Sequence, residues 1–153
     1  MRYMLDTNIC IYSIKSSAPE VVRKLATLAV GSAVMSVVTY AELRAGLEMQ
    51  TAHRAQDEKV LDLLISRIPV LPFTQNDAKY YGILRAALPE RRRAAMDRLI
   101  AAHAVSAGLV LVTNNEADFK DYPGLNIENW TTTMALMQPT IPIAEEAIQR
   151  KKK

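Results

Sequence analysis

The sequence predicts an α/β domain on a central parallel sheet, and three observations lead to that class. Short apolar, β-branched runs alternate with longer segments whose apolar residues recur at helical spacing. The segments between the runs are long enough for the right-handed crossovers that join parallel strands. The runs themselves are apolar enough to be buried on both faces, as strands between two helical layers are. With 153 residues, half of them apolar, the chain has material for one domain with a sizeable core.

The elements follow in order. Tyr3-Met4-Leu5 reads as a buried strand ending at Asp6, and Thr7 and Asn8 offer an N-cap for a helix starting at Ile9-Cys10-Ile11-Tyr12. Val21, Val22, Leu25 and Leu28 are spaced for a helix over 21–29. A second buried strand is expected over 33–38, after which Thr39 opens a helix running through Glu42 to about Leu47. An amphipathic helix over 53–66 presents Val60, Leu61, Leu64 and Ile65 on one side, and Val70-Leu71 form a third strand. Thr74 can cap a helix over 76–88, and 89–93 reads as a charged loop or helix end. A helix over 97–107 stops at Gly108, a fitting C-cap, before a fourth strand over 109–112 and the polar run Thr113-Asn114-Asn115. A last short strand is expected over 126–129. From Thr131 the character changes to threonines, methionines and two prolines, Pro139 and Pro142, so the reading is a domain over 1–130 and a C-terminal extension over 131–153.

Composition narrows the function only a little. The formal net charge is +3 with a pI of about 9.1, and part of that comes from the closing run Arg150-Lys151-Lys152-Lys153. Such mild basicity permits an acidic partner such as nucleic acid without identifying one. Cys10 is the only cysteine and lies in an apolar stretch, which excludes an intramolecular disulfide or thiolate cluster and suits a buried small side chain. The opening segment meets an acid at position 6, unlike a secretory signal, and the longest apolar stretch, 104–112, is too short for a membrane span. The expected setting is the cytoplasm.

Four acids carry the chemistry. Asp6 closes the first strand, Glu42 falls early in the helix after the second, Asp97 begins a helix, and Asp118 follows the fourth strand. In an open α/β sheet the carboxyl ends of the strands form the ligand crevice, so these distant residues are expected to converge there. Clustered carboxylates repel and raise one another's pKa, and a divalent cation removes that cost. An all-oxygen donor set suits Mg2+ or Mn2+, ions that support phosphodiester hydrolysis. Thr7, Thr113, Asn114 and Asn115 are placed to hydrogen-bond the carboxylates or water. Each acid also has a structural reading. Asp6 is a candidate helix cap, and Glu42 a capping-box partner of Thr39. Asp97 is a favourable charge at a helix start, and Asp118 a loop residue.

Met4-Leu5-Asp6-Thr7-Asn8-Ile9, Ala41-Glu42-Leu43, the run Met96 to Ala104, Val112-Thr113-Asn114-Asn115 with Asp118-Phe119, and Glu128-Asn129-Trp130 together resemble a PIN-domain ribonuclease of the VapC toxin type. The resemblance runs from Met1 to about Trp130 and does not cover the extension. It implies a PIN-like three-layer α/β/α sandwich, a homodimer, a VapB-like antitoxin that blocks the active site, and Mg2+- or Mn2+-dependent cleavage of RNA that arrests translation. It also implies that Asp6, Asp97, Glu42 and Asp118 form the metal-binding and catalytic set, with Asn114 or Asn115 as polar helper. Relatives often carry a Gly-Pro or similar turn before the third acid, where this chain has Arg91-Arg92-Arg93-Ala94-Ala95. Arg91, Arg92, Arg93 and Arg98 are candidates for a phosphate-gripping rim, with a solvated helix end as the alternative. His103 sits on a different face from Asp97, which favours a hydrogen-bonding role over a general base. Tyr40, Tyr80, Tyr81 and Trp130 read mainly as core, with base stacking as the alternative. Two other functions stay open at this point: a PIN nuclease of RNA processing, and a catalytically silent RNA-binding module.

Overall fold

A computed structural model describes residues 1–15, 17–49, 52–90 and 94–131. Among them the chain order is β1 (Tyr3–Leu5), α1 (Thr7–Lys15), α2 (Pro19–Ala26), β2 (Ala33–Ser36), α3 (Val37–Met49) and α4 (Arg54–Arg67), then β3 (Val70–Leu71), α5 (Gln75–Ala87), α6 (Ala95–Ala107), β4 (Val110–Val112), α7 (Glu116–Phe119) and β5 (Ile127–Glu128). The strands form one five-stranded sheet in the order β3-β2-β1-β4-β5, with every neighbouring pair parallel. The chain builds outward from β1 in one direction and then, through β4 and β5, in the other. The switch point therefore falls between β1 and β4, where such sheets open a crevice.

The period of two along each strand divides the core. Tyr3, Leu5, Ala33, Met35 and Val112 join Ile9, Val21, Leu25, Leu43 and Leu61, so this face is covered by α1 to α4. Met4, Val34 and Leu111 face the other way, into Leu84, Ile100, Ala101, Ala104 and Phe119 from α5, α6 and α7. The result is the three-layer α/β/α sandwich that the sequence predicts. Ala101, Ala102 and Ala104 are wholly buried, and their small side chains bring α6 close to the sheet. Each fully buried Leu or Ile contributes roughly 1.5–3 kcal/mol, so both faces add substantially to stability.

Boundaries differ from expectation where side-chain caps override propensity. Val37 and Val38 begin α3 instead of ending β2, because the Ser36 hydroxyl accepts the Val38 amide at 3.1 Å and turns the chain into a helix. Thr74 caps α5 as the sequence predicts, in a reciprocal capping box with Asp77. Gly108 ends α6 at φ +67°, a conformation that favours glycine. The single turn of α7 was absent from the sequence reading. The extension from residue 132 onward lies outside the described residues, as do Arg91, Arg92 and Arg93. No helix among the described residues is long and apolar enough to cross a membrane.

Candidate active site

Asp6 stands at the switch point. Continuing the registers Met4↔Val34 and Leu5↔Val112 by a residue or two puts it level with Ser36 and Thr113 at the carboxyl edge of the sheet. Its Oδ1 accepts the Ile9 amide at 2.9 Å and its carbonyl accepts the Cys10 amide at 3.1 Å. Asp6 is therefore the N-cap of α1, as its structural reading has it, and the alternative of Thr7 or Asn8 in that role is corrected. The cap engages Oδ1, while the Thr113 hydroxyl also hydrogen-bonds the carboxylate. Thr113 is itself held by the Asn115 amide, which donates to its Oγ1 at 3.0 Å.

With capping done by Asp6, the Thr7 hydroxyl is available to Glu42, to which it donates at 2.7 Å. This bond ties the start of α1 to α3. The capping-box alternative for Glu42 is overturned, since Thr39 lies inside α3 with its hydroxyl fully buried. Asp97 is the third residue of α6, where its charge meets the positive end of the helix. It is half-buried, and it shares a pocket of about 130 Å³ with Asp6 and Glu42. Thr7, Asn8, Asn115, Ile100 and Phe119 complete the walls. Asp118 sits on α7 outside that lining, exposed, with its Oδ2 accepting the Asn115 amide group at 2.5 Å.

Burial pushes the Asp6 carboxyl above its ordinary value, the Thr113 hydroxyl and Ile9 amide oppose the rise, and Asp97 and Glu42 add to it. Burial likewise raises Asp97, with Asp118 and Glu42 contributing repulsion. The four acids thus form one electrostatic unit in which like charges face each other. Oxygen donors of this kind could hold a hard divalent cation, with the raised carboxyls of Asp6 and Asp97 as the candidates to do so. Yet no three acidic, histidine or cysteine side chains among the described residues converge into a ready-made ligand cage.

Other expected site residues divide. Thr7 and Asn115 line the pocket, whereas Asn114 turns away and donates to the Tyr12 hydroxyl at 2.8 Å. Asn115, not Asn114, is the amide beside the acids. Arg98 is fully buried with its guanidinium carbon 5.8 Å from the Tyr81 ring centre, so it is no part of an exposed rim. Trp130 is core, edge-on to Tyr3 at 5.2 Å, while Tyr40, Tyr80 and Tyr81 are partly buried and packed on the two cores. Sequence reasoning missed the pocket walls Asn8, Ile100 and Phe119. Ile100 was findable, since it lies one helical turn after Asp97 on the same side of α6. A second, larger cleft of about 420 Å³ runs between α1, α3 and α4, walled by Ile11, Ile14, Leu43, Leu47 and Leu61, and it shares Glu42 with the acidic pocket.

Comparison with known proteins shows the family. The family described as PIN domain matches residues 3–125. The chain is 37% identical over 133 residues to "Ribonuclease VapC2" of Rickettsia felis, covering 85% of this chain and 98% of that protein. It is 38% identical over 133 residues to "tRNA(fMet)-specific endonuclease VapC" of Shigella flexneri, covering 86% and 99%. Among solved structures, VapBC2 from Rickettsia felis bound to a DNA fragment from its promoter superposes with a TM-score of 0.78 at 36% identity, over 85% of this chain and 99% of that one. DNA-bound VapBC from Salmonella typhimurium gives 0.75 at 36% identity, over 85% and 98%.

Proposed function

The chain belongs to the PIN-domain family, and from that membership we propose that it is a toxin endoribonuclease of the VapC type, cutting RNA with the help of Mg2+ or Mn2+. The observation that carries the reading is the pocket shared by Asp6, Glu42 and Asp97 at the switch point of the sheet. Asp6 and Asp97 would hold the cation directly, with Glu42 and Asp118 acting through water. When bound, the ion supplies positive charge for the scissile phosphate and for the oxygen that leaves. Glu42, which accepts the Thr7 hydroxyl, would orient the attacking water and accept its proton. Asn115 fixes the Asp118 carboxylate beside Asp97.

A structured RNA with an accessible single-stranded loop is the proposed substrate class. Relatives named for tRNA(fMet) make that tRNA the first one to test. The partner proposed is a VapB-like antitoxin, by analogy with the solved VapBC assemblies. The apolar cleft between α1, α3 and α4 opens onto Glu42, so a partner segment lying there would reach the acidic pocket. The test is purified protein, Mn2+ and tRNA, with Asp97→Asn beside the wild type. Cleavage by the wild type and at least a hundredfold loss in the variant are expected, because even outer-shell partners of a metal are worth about 10–100-fold. Equal rates would sink the assignment.

A further inference from the structure

His103 is buried at 2% exposure, outside the lining of the acidic pocket, and the chemistry above makes no use of it. Its surroundings are more specific than a core position requires. Nδ1 lies 2.7 Å from Ser36 Oγ, and Nε2 is 3.7 Å from Asp77 Oδ2. The ring also hydrogen-bonds the Pro72 backbone and meets Phe73 edge-on at 5.4 Å. Burial holds the imidazole below its ordinary pKa, with Asp77 and the Pro72 bond opposing that shift.

The bonds fix one tautomer. Nε2 faces the Asp77 carboxylate, which can only accept, so a neutral ring carries its proton there and Nδ1 accepts from the Ser36 hydroxyl, whose oxygen also takes the Val38 amide. A neutral ring is what this circuit needs. It joins three elements, of which α5 and α6 are also tied by Asn76, which donates to the Ser106 hydroxyl at 3.0 Å. Ser36 ends β2 and starts α3, the helix bearing Glu42. His103 rides on α6, the helix bearing Asp97. Asp77 belongs to the capping box of α5.

We propose that His103 is a positioning residue: its bond to Ser36 locks the start of α3 to α6 and so fixes Glu42 relative to Asp97. The proposal rests on the metal-dependent nuclease reading given above. Two substitutions separate it from simple packing. In His103→Asn the side-chain oxygen occupies roughly the place of Nδ1 and can accept from Ser36, whereas in His103→Gln the polar end lies nearer the place of Nε2 and the Ser36 bond is lost.

The expected result is a fall of about tenfold or more in kcat for tRNA cleavage in His103→Gln, with KM within about twofold, and recovery of most of the rate in His103→Asn. Ser36→Ala should be slow as well, since it removes this bond together with the Val38 one, and adding His103→Gln to it should cost little more, because the shared bond is already gone. Hydrogen exchange at the Val38 amide reads the clamp without catalysis: it should quicken in the Gln variant and stay slow in the Asn variant. Unchanged kcat in His103→Gln, equal rates for Gln and Asn, or a loss carried by KM alone would each overturn the proposal. A wild-type protein that does not cut RNA refutes the nuclease reading instead, and Val38 exchange unchanged by His103→Gln then overturns the clamp separately.

Discussion

Carboxylates on two sides of α3 meet opposite surroundings. Toward α4, Glu48 and Glu58 close a ring of ion pairs with Arg44 and Arg54. Hydrogen bonds from those arginines hold both acids below their ordinary pKa values. Toward the sheet, Glu42 faces Asp6 and Asp97, whose carboxyls are pushed up by burial and by neighbouring acids. The ring is partly exposed and finishes its electrostatics within the fold. The pocket is half-buried and leaves its negative charge for something else to neutralise. Matched charges here serve the joining of two helices, and mismatched ones mark the place of chemistry.

The sharpest way to break that contrast is Asp6→Asn. Asparagine caps a helix about as well as aspartate, so the Ile9 bond survives while the buried charge disappears. Cleavage should fall by at least a hundredfold, whereas the melting temperature without metal should rise by about 2–4 °C, the effect of roughly 1 kcal/mol in a chain of this size. A variant that loses both activity and stability would mean that Asp6 is chiefly a structural cap. Next in size is Asn115→Ala, which frees the Asp118 carboxylate from its amide partner. An outer-shell loss of about tenfold in turnover is expected, with little change in melting temperature. The parallel change Asn114→Ala should leave turnover nearly intact, since that amide is engaged by Tyr12.

These pairs also show what the sequence made legible. The sheet was readable because Tyr3-Met4-Leu5 and Val110-Leu111-Val112 are apolar on both faces, a pattern fixed by burial. The caps at Thr74 and Gly108 were readable because each depends on local chemistry alone. The start of α3 was not, since β-branched Val37 and Val38 favour a strand until Ser36 captures the Val38 amide. The four acids could be gathered from topology, but their helpers could not be ordered. Asn114 and Asn115 are adjacent and chemically identical, and only the turn into α7 decides which one faces Asp118. Arg98 likewise reads as a surface cation beside Asp97, while the turn of α6 carries it into the interior.

A smaller effect tests neutralisation itself. Mn2+ should raise the melting temperature of the wild type by about 5–10 °C at a free concentration near a hundred times its Kd, where linkage supplies ~2.7 kcal/mol. Asp97→Asn should respond far less. Glu48→Gln, which alters only the ring, should respond like the wild type. If the two variants respond alike, the pocket is not where the ion acts.

The ring should give the smallest change, and its sign is set by its lowered acids. A carboxyl whose folded pKa lies below its unfolded value adds stability above the unfolded value and loses it as pH falls toward the folded one. Glu48 and Glu58 are both of this kind, with ordinary values of 4.5. Their contribution should therefore be present at neutral pH and fade as the solution is acidified below that value. Their exposure and the screening of surface pairs keep the effect slight, and added salt should reduce it further. Glu58→Gln would flatten the acidic arm of the melting profile by a small, salt-sensitive amount while leaving RNA cleavage within about twofold of wild type. A large loss of cleavage in that variant would show that the ring shapes the cleft beside Glu42, and the division between the two sides of α3 would no longer hold.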